Sequence, residues 1–286
     1  MRVAVFGERG FIGKEFVKIV PEGHKIFAFN RPEFDIRKLE TYREKLNVIQ
    51  PDVVVNMAAR VGTLISTLSV KEMFETNTMG ALDLAHTAYE AGARRYIYIS
   101  STVVHGENKK GEHYGRFSKF GPKHPYSASK AAAEYSLEQF AKEKGDVVVI
   151  TLRPPMVIGK GTNPDLPAIS FVRDILSGKE IKIFGEGLHE REFVSVGDVA
   201  RGIWKAIDWG KKAQQGYHPF FLSGNRISMR DLAEKVIKKF GGKVVYIPKT
   251  IQAFSLTTDA SETKQILGWE PYDDLDAILA DVARHI

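Results

Sequence analysis

A parallel, doubly wound α/β sheet is the fold class this 286-residue chain predicts. Short, uniformly apolar runs alternate with helical patterns through the first half, and such strands must be covered on both faces. A glycine turn, Gly7-Glu8-Arg9-Gly10-Phe11-Ile12-Gly13, joins the first run directly to the first helical pattern. After Pro154-Pro155 the rhythm changes, with more proline and glycine and less regular elements.

The elements follow in order. Arg2–Phe6 and Lys25–Phe29 read as strands, with a helix from Lys14 to Val20 between them. Leu39 to Ile49 reads as a helix and Pro51 to Met57 as the third strand. Val70 to Ala91 predicts one long amphipathic helix ended by Gly92. Tyr96–Ser100 is the fourth strand, and Glu107 to His124 is a polar loop. An alanine-rich helix from Tyr126 closes at Gly145, and Val147–Thr151 is the fifth strand. Beyond it, Ile181–Phe184 and Val244–Ile247 read as strands; Asp198–Trp209, Met229–Phe240 and Leu275–His285 read as helices. This divides the chain into a dinucleotide-binding domain, residues 1–154, and a smaller α/β substrate lobe, residues 155–286. Phe220-Phe221-Leu222 is the candidate to return to the main sheet.

Composition narrows the function. The absence of cysteine excludes disulfides, thiolate metal sites and cysteine nucleophiles. No two of the eight histidines show metal-ligand spacing with a nearby acid, so no metal site is expected. The net charge is +6, but lysines and arginines are scattered among acids, which favours anionic small molecules over nucleic acid. A basic cluster, Lys109, Lys110, Arg116, Lys119 and Lys123, reads either as an attractor of anionic substrate over the site or as a solvated loop. No apolar run reaches membrane-spanning length, and a cytoplasmic location is the expectation.

Two stretches carry chemistry. The glycine turn has the spacing that lets backbone amides and a helix N-terminus approach a pyrophosphate. At the end of the second strand, where an acid would bond an NAD ribose, stand Asn30 and Arg31. With Arg9 they offer two guanidiniums suited to a 2′-phosphate, which leans the cofactor toward NADP over NAD. Asp35 and Ile36 are placed to flank the adenine. The second stretch is Pro125-Tyr126-Ser127-Ala128-Ser129-Lys130. Four residues apart on a helix, Tyr126 and Lys130 share a face. A tyrosine titrates near 10, and an adjacent ammonium is expected to lower that value toward useful base strength.

These motifs, in order, resemble the extended short-chain dehydrogenase/reductases, nucleotide-sugar group. The matching residues are Gly7 to Gly13, Asn56-Met57-Ala58-Ala59, Asn77-x-x-Gly80, Ser100-Ser101-Thr102, Tyr126-x-x-x-Lys130, Leu152-Arg153-Pro154, Arg191 to Asp198 and Leu267-Gly268-Trp269-x-Pro271. The resemblance implies a Rossmann sheet, with Tyr126 as acid/base at a sugar hydroxyl, Lys130 tuning it and bonding the nicotinamide ribose, and Ser101 on the same sugar oxygen. Ala58, Ala59 and Arg60 would line the cofactor channel, Asn77 would brace a neighbouring strand, and the backbone at Pro154 would face the nicotinamide. Arg191 would take the substrate diphosphate, with Met156 nearby. A homodimer through the helices Val70–Ala91 and Tyr126–Lys144 is also implied.

Within the family, Gly-x-Arg-Gly-x-x-Gly with Arg31 and the run Ala58 to Gly62 resemble GDP-fucose synthase, and the Arg31–Ile36 stretch resembles dTDP-4-dehydrorhamnose reductase. The remaining motifs are those of nucleotide-sugar 4-epimerases. Val103 and Ala168 stand where a fucose synthase has its proton carriers, and Thr102-Val103 stand where a 4,6-dehydratase has Asp-Glu. Met156 replaces an asparagine common on the substrate phosphate, and His105 replaces a tyrosine common before glycine. The expected function is therefore epimerisation at C4 of a nucleotide sugar through a 4-keto intermediate. A nucleotide 4-keto-sugar reductase using NADP is the alternative, and an NAD(P)-sensing binding protein without turnover is a second.

Overall fold

The alternation of β-branched runs with helix formers folds, in a computed structural model describing residues 1–61, 69–109, 111–248 and 254–286, into a six-stranded parallel sheet. Gly62 and Lys110 lie outside the described residues. The strands are β1 (Arg2–Phe6), β2 (Lys25–Phe29), β3 (Val53–Asn56), β4 (Arg95–Ile99), β5 (Val148–Arg153) and β9 (Gly216–Phe221). Their order is β2-β1-β3-β4-β5-β9, all pairs parallel. The chain steps from β1 outward to β2, then returns past β1 to β3. This reversal opens a crevice beyond the carboxyl ends of these strands.

Helices cover both faces, as the apolar strands require. One face packs Phe6, Tyr42, Leu84, Tyr98 and Leu137 against α2 (Arg43–Ile49), α4 (Gly80–Glu90) and α5 (Pro125–Lys144). The other packs Val5, Phe16, Leu152, Ile203 and Trp204 against α1 (Phe11–Lys18) and α7 (Val196–Gly210). Two elements beyond residue 154, α7 and β9, thus complete the large layers. A third core, with Val172, Phe193, Leu232 and Leu279, lies among α6 (Pro167–Leu176), α8 (Met229–Phe240) and α10 (Leu275–His285).

Three features depart from the expected elements. The helix expected from Leu39 begins as a single 3₁₀ turn, and α2 starts only at Arg43. There the Thr41 hydroxyl donates to the Lys38 carbonyl at 2.7 Å and competes with the backbone for it. The long helix expected over Val70–Ala91 is interrupted: α3 (Val70–Phe74) passes into a π-turn at Glu75–Met79 before α4. The buried Tyr98 hydroxyl donates to the Asn77 carbonyl at 3.0 Å inside that turn. The Asn77 amide meanwhile donates out of the helix to Arg60 and Ser129. Finally, β6 (Met156–Ile158), β8 (Glu190–Ser195) and β10 (Asn225–Ser228) form a second sheet in the order β10-β8-β6. Charged residues in β8 and β10 mask the alternation that marks a strand. Glu192 is in fact buried, bonded to Thr258 and Arg226. β7 (Ile181–Phe184) pairs in parallel with β11 (Val244–Ile247), and α9 (Ser261–Leu267) packs against α7.

Trp204 pins α7 to α1. Its ring stacks on Phe16 at 4.6 Å, and its indole N–H donates to the Phe16 carbonyl at 3.2 Å. Trp204→Ala removes ring packing and that hydrogen bond together. It should cost about 3–5 kcal/mol of unfolding free energy, measured by urea titration.

Candidate active site

The glycine turn needs its glycines for steric reasons. Gly7 has φ +88°, and a Cβ there would stand 2.8 Å from the Ala58 nitrogen. A Cβ on Gly13 would collide with the Gly7 and Glu8 carbonyls. β1 and β3 therefore approach closely just where α1 begins. Around this point the ends of three strands enclose a cleft of about 330 Å³. Gly7, Arg9 and Gly10 line it from β1, Asn30, Arg31, Asp35 and Ile36 from beyond β2, and Ala58, Ala59 and Arg60 from beyond β3. Phe11 and Ile12 turn their side chains elsewhere. Ile12 packs into the core with Phe16, and the Phe11 ring lies beside Gly159.

Hydrogen bonds fix the walls. Asn30 accepts from the Arg9 amide at 3.1 Å and donates to Glu8 at 3.0 Å. Asn77, fully buried, accepts from the Arg60 amide at 2.8 Å and returns a bond to the Arg60 carbonyl at 2.9 Å. Asp35 is not a free acceptor. Arg37 donates to both its oxygens, at 3.0 and 2.6 Å, and this pairing holds its carboxyl at a pKa of about 2. Thr76 also lines the cleft; its buried hydroxyl has no partner among the described residues.

A second group of residues meets at the ends of β4 and β5. The Ser100 amide donates to the Leu152 carbonyl, and the Thr102 amide to the Pro154 carbonyl. Ser101 lies between them, its hydroxyl 3.5 Å from the Pro154 oxygen. α5 delivers Tyr126 and Lys130 from above. Its first turn is held by a capping box: His124 Nδ1 accepts from the Ser127 amide, and the Ser127 hydroxyl accepts from the His124 amide. Pro125 at the first helical position suits that start. The buried Lys130 ammonium donates to the Ile99 carbonyl at 2.7 Å and sits 4.5 Å above the Tyr98 ring. Burial lowers its pKa to about 7, against the opposing pull of Glu134.

Tyr126 differs from expectation. Burial raises its pKa to about 12, and no charge from Lys130 offsets this. The Lys130 ammonium donates to a backbone carbonyl and lies over Tyr98.

Behind both residues lies a buried network that the sequence reading missed. Glu134, one turn past Lys130, is fully buried. Its carboxylate accepts from Arg153 Nε and Nη2, at 3.0 and 2.6 Å, and from the Ser100 and Tyr217 hydroxyls. The spacing from Lys130 to Glu134 was a visible signal; the partners Arg153 and Tyr217 come from remote strands and gave none.

The remaining expected residues are dispersed. Met156 opens β6, half-buried beside the third core. Arg191, on β8, lies over the Phe254 ring at 4.5 Å and donates to the Glu190 carbonyl. No carboxylate lies within ion-pairing distance among the described residues, and burial lowers its pKa to about 10. Arg116 is no solvated loop residue. It is buried, donating to the Pro219 carbonyl at 2.7 Å and to Glu262 at 2.9 Å. His105 lies in the loop wall among Tyr114, Phe120 and Phe221. Its Nδ1 donates to the Lys119 carbonyl at 3.0 Å, which leaves Nε2 as a buried acceptor without a partner among the described residues. No helix among the described residues is long and apolar enough to cross a membrane, and no cluster there could hold a metal ion.

Comparison with known proteins places this geometry. The family model described as NAD dependent epimerase/dehydratase matches residues 3–218. A dTDP-glucose 4,6-dehydratase of Streptomyces niveus is 26% identical over 95% of this chain and 88% of its own length. A UDP-glucose 4-epimerase of Vibrio cholerae is 25% identical, over 94% of this chain and 90% of its own. The structure of UDP-glucose 4-epimerase from Thermotoga maritima, with UDP-glucose, superposes with a TM-score of 0.87 at 25% identity, covering 100% of this chain and 98% of that one.

His105 sets a pH prediction. Burial first, and the charge of Arg153 second, pull its pKa down to about 4. The folded state therefore favours the neutral ring, and between pH 6.5 and 4 the unfolded chain binds more protons. Stability from this residue is complete above 6.5 and falls by about 3 kcal/mol as pH drops to 4. Urea midpoints taken across that range should show the loss, and His105→Gln should flatten the curve.

Proposed function

Since this chain belongs to the NAD dependent epimerase/dehydratase family, we propose that it epimerises a nucleotide-linked sugar at C4 through a 4-keto intermediate, with Tyr126 as acid/base. The observation that carries this reading is the meeting of Ser101, Pro154 and Lys130 at the ends of β4 and β5, on the sheet edge that also bears the glycine-turn cleft. A dinucleotide fits that cleft. A side chain on Gly7 would fill the close approach to Ala58, and the Thr76 hydroxyl offers an unused polar contact at the wall. Gly7, Gly10, Asn30, Arg31 and Ala58 would hold it, with Asp35 and Ile36 toward the adenine. The bound nicotinamide supplies the hydride acceptor.

The chain's own residues move the proton. Tyr126 faces the C4 oxygen, and Ser101 donates to the same oxygen. Lys130 remains anchored on the Ile99 carbonyl, so its charge is fixed relative to that oxygen. Burial raises the Tyr126 pKa, and positive charge near the phenol would favour its ionisation. Arg191, without a carboxylate partner among the described residues, would take the diphosphate. Thr102 and Val103 carry no carboxyl group, which favours epimerisation over dehydration. The proposal includes a homodimer and a cytoplasmic location.

Cofactor choice is the second part of the proposal. Arg9, Arg31 and Arg60 line the cleft, and an asparagine occupies the ribose position. These groups support tolerance of a 2′-phosphate, hence NADP as well as NAD, and keep a 4-keto-sugar reductase as the alternative activity. Denaturing the purified protein and identifying any released nucleotide separates the two. Retained NAD supports the epimerase; an empty protein that binds and consumes NADPH supports the reductase.

Two outcomes follow. Tyr126→Phe should lower conversion of UDP-glucose or UDP-glucuronate by about 10²–10⁴-fold, read by chromatography of the products, while cofactor binding is unchanged. Unchanged conversion would sink the acid/base assignment. Arg9→Ala with Arg31→Ala should weaken NADPH binding about tenfold or more relative to NADH, in a fluorescence titration. Equal losses for both cofactors would remove the 2′-phosphate role.

A further inference from the structure

Lys130 is a buried cation whose hydrogen bond goes to a neutral carbonyl. No salt bridge reaches it among the described residues. Burying an unpaired ammonium is costly, and a nearby negative charge offsets part of that cost. The groups that face it are few. Tyr98 on β4 lies beneath it, Tyr126 and Glu134 flank it on α5, and Arg153 on β5 and Tyr217 on β9 stand behind Glu134. Only Glu134 among these is an anion. It lies one helical turn from Lys130, on the same face.

We propose that Glu134 is a positioning residue for the proton-transfer site: the fixed counter-charge that favours the ammonium form of the buried Lys130. The carboxylate suits that task because it cannot move. Arg153 grips it through two nitrogens, and Ser100 and Tyr217 occupy further lone pairs. Those four donors tie α5 to β4, β5 and β9, so the charge is held still relative to the Ile99 carbonyl that Lys130 uses. Burial opposes the ionised form of Glu134, but Arg153 and the hydroxyls outweigh it, and its pKa stays below the ordinary value. Arg153 keeps the carboxylate ionised. Burial is the larger influence on the Lys130 charge, and Glu134 is the group that opposes it.

This inference rests on the reading of Lys130 as part of the catalytic site, but its test does not. The probe is the unliganded protein labelled with [6-¹³C]lysine, with Lys130 assigned by Lys130→Met. Its ¹³Cε shift is followed against pH by NMR. The wild-type midpoint should lie near 7. In Glu134→Gln it should fall by about one unit or more, and Glu134→Asp should restore most of the difference. Because Glu134→Gln leaves Arg153 buried and unpaired, the variant can fail to fold. Glu134→Gln with Arg153→Met removes both charges, and the midpoint should fall there too. A midpoint unmoved in any folded variant lacking Glu134 overturns the proposal. The same variants assayed with UDP-glucose should lose activity on the alkaline side at a correspondingly lower pH, with KM changed less than kcat. If no wild-type turnover is found but the midpoint moves, the functional reading fails and the role of Glu134 stands.

Discussion

The pairing of Glu134 with Arg153 is the constraint on which the chemical end of this molecule depends. Both side chains are almost wholly out of water, and beyond each other they bond to three separate segments, at Ser100, Arg116 and Tyr217. Breaking one partner of such a pair leaves an uncompensated buried charge, a loss of about 3–5 kcal/mol in general. The pair fixes how far α5 stands from the ends of β4 and β5. That separation sets where Lys130 meets the Ile99 carbonyl, and Ser101 and Pro154 sit one residue beyond Ser100 and Arg153 in the chain.

The cleft along the same edge of the sheet, beyond β1, β2 and β3, obeys a different constraint, that of close backbone approach. No side chain fits between Gly7 and Ala58, so β1 and β3 meet there and leave amides at the surface of the crevice. Asn77 links the two regions. It holds the Arg60 backbone at the cleft and donates to Ser129 beside Lys130. Asn77 lies within the π-turn, where its carbonyl also accepts from the Tyr98 hydroxyl. The local irregularity in an otherwise long helix thus couples the cofactor wall to the catalytic helix.

The second sheet shows how polar residues can build a core wall. β8 contributes Phe193 and Val194 to the interior and buries Glu192 between them and Thr258. Arg226 completes that pairing and reaches His113, tying the 107–124 loop to the second sheet. A strand of this composition is stable only when its charges are matched by residues from other segments.

The sequence alone determined the parallel sheet, the glycine turn and the Tyr126–Lys130 face, because each is written in spacing. Apolar runs alternate with helical periods, glycine occurs where a side chain would collide, and residues four apart share a helix face. Ser101, Asn30 and Arg31 were also legible, since each follows a strand end directly. The tertiary structure decided the electrostatics. Asp35 is taken by Arg37, Arg116 is buried against β9, and Tyr126 holds its proton more tightly than its neighbour Lys130 suggested. These outcomes depend on burial and on which remote strand supplies a partner. Arg153 lies 19 residues from Glu134 and Tyr217 lies 83 away, distances at which no periodicity survives. A pattern of residues fixes which groups share a face; the proton affinity of those groups is set by everything that packs against it.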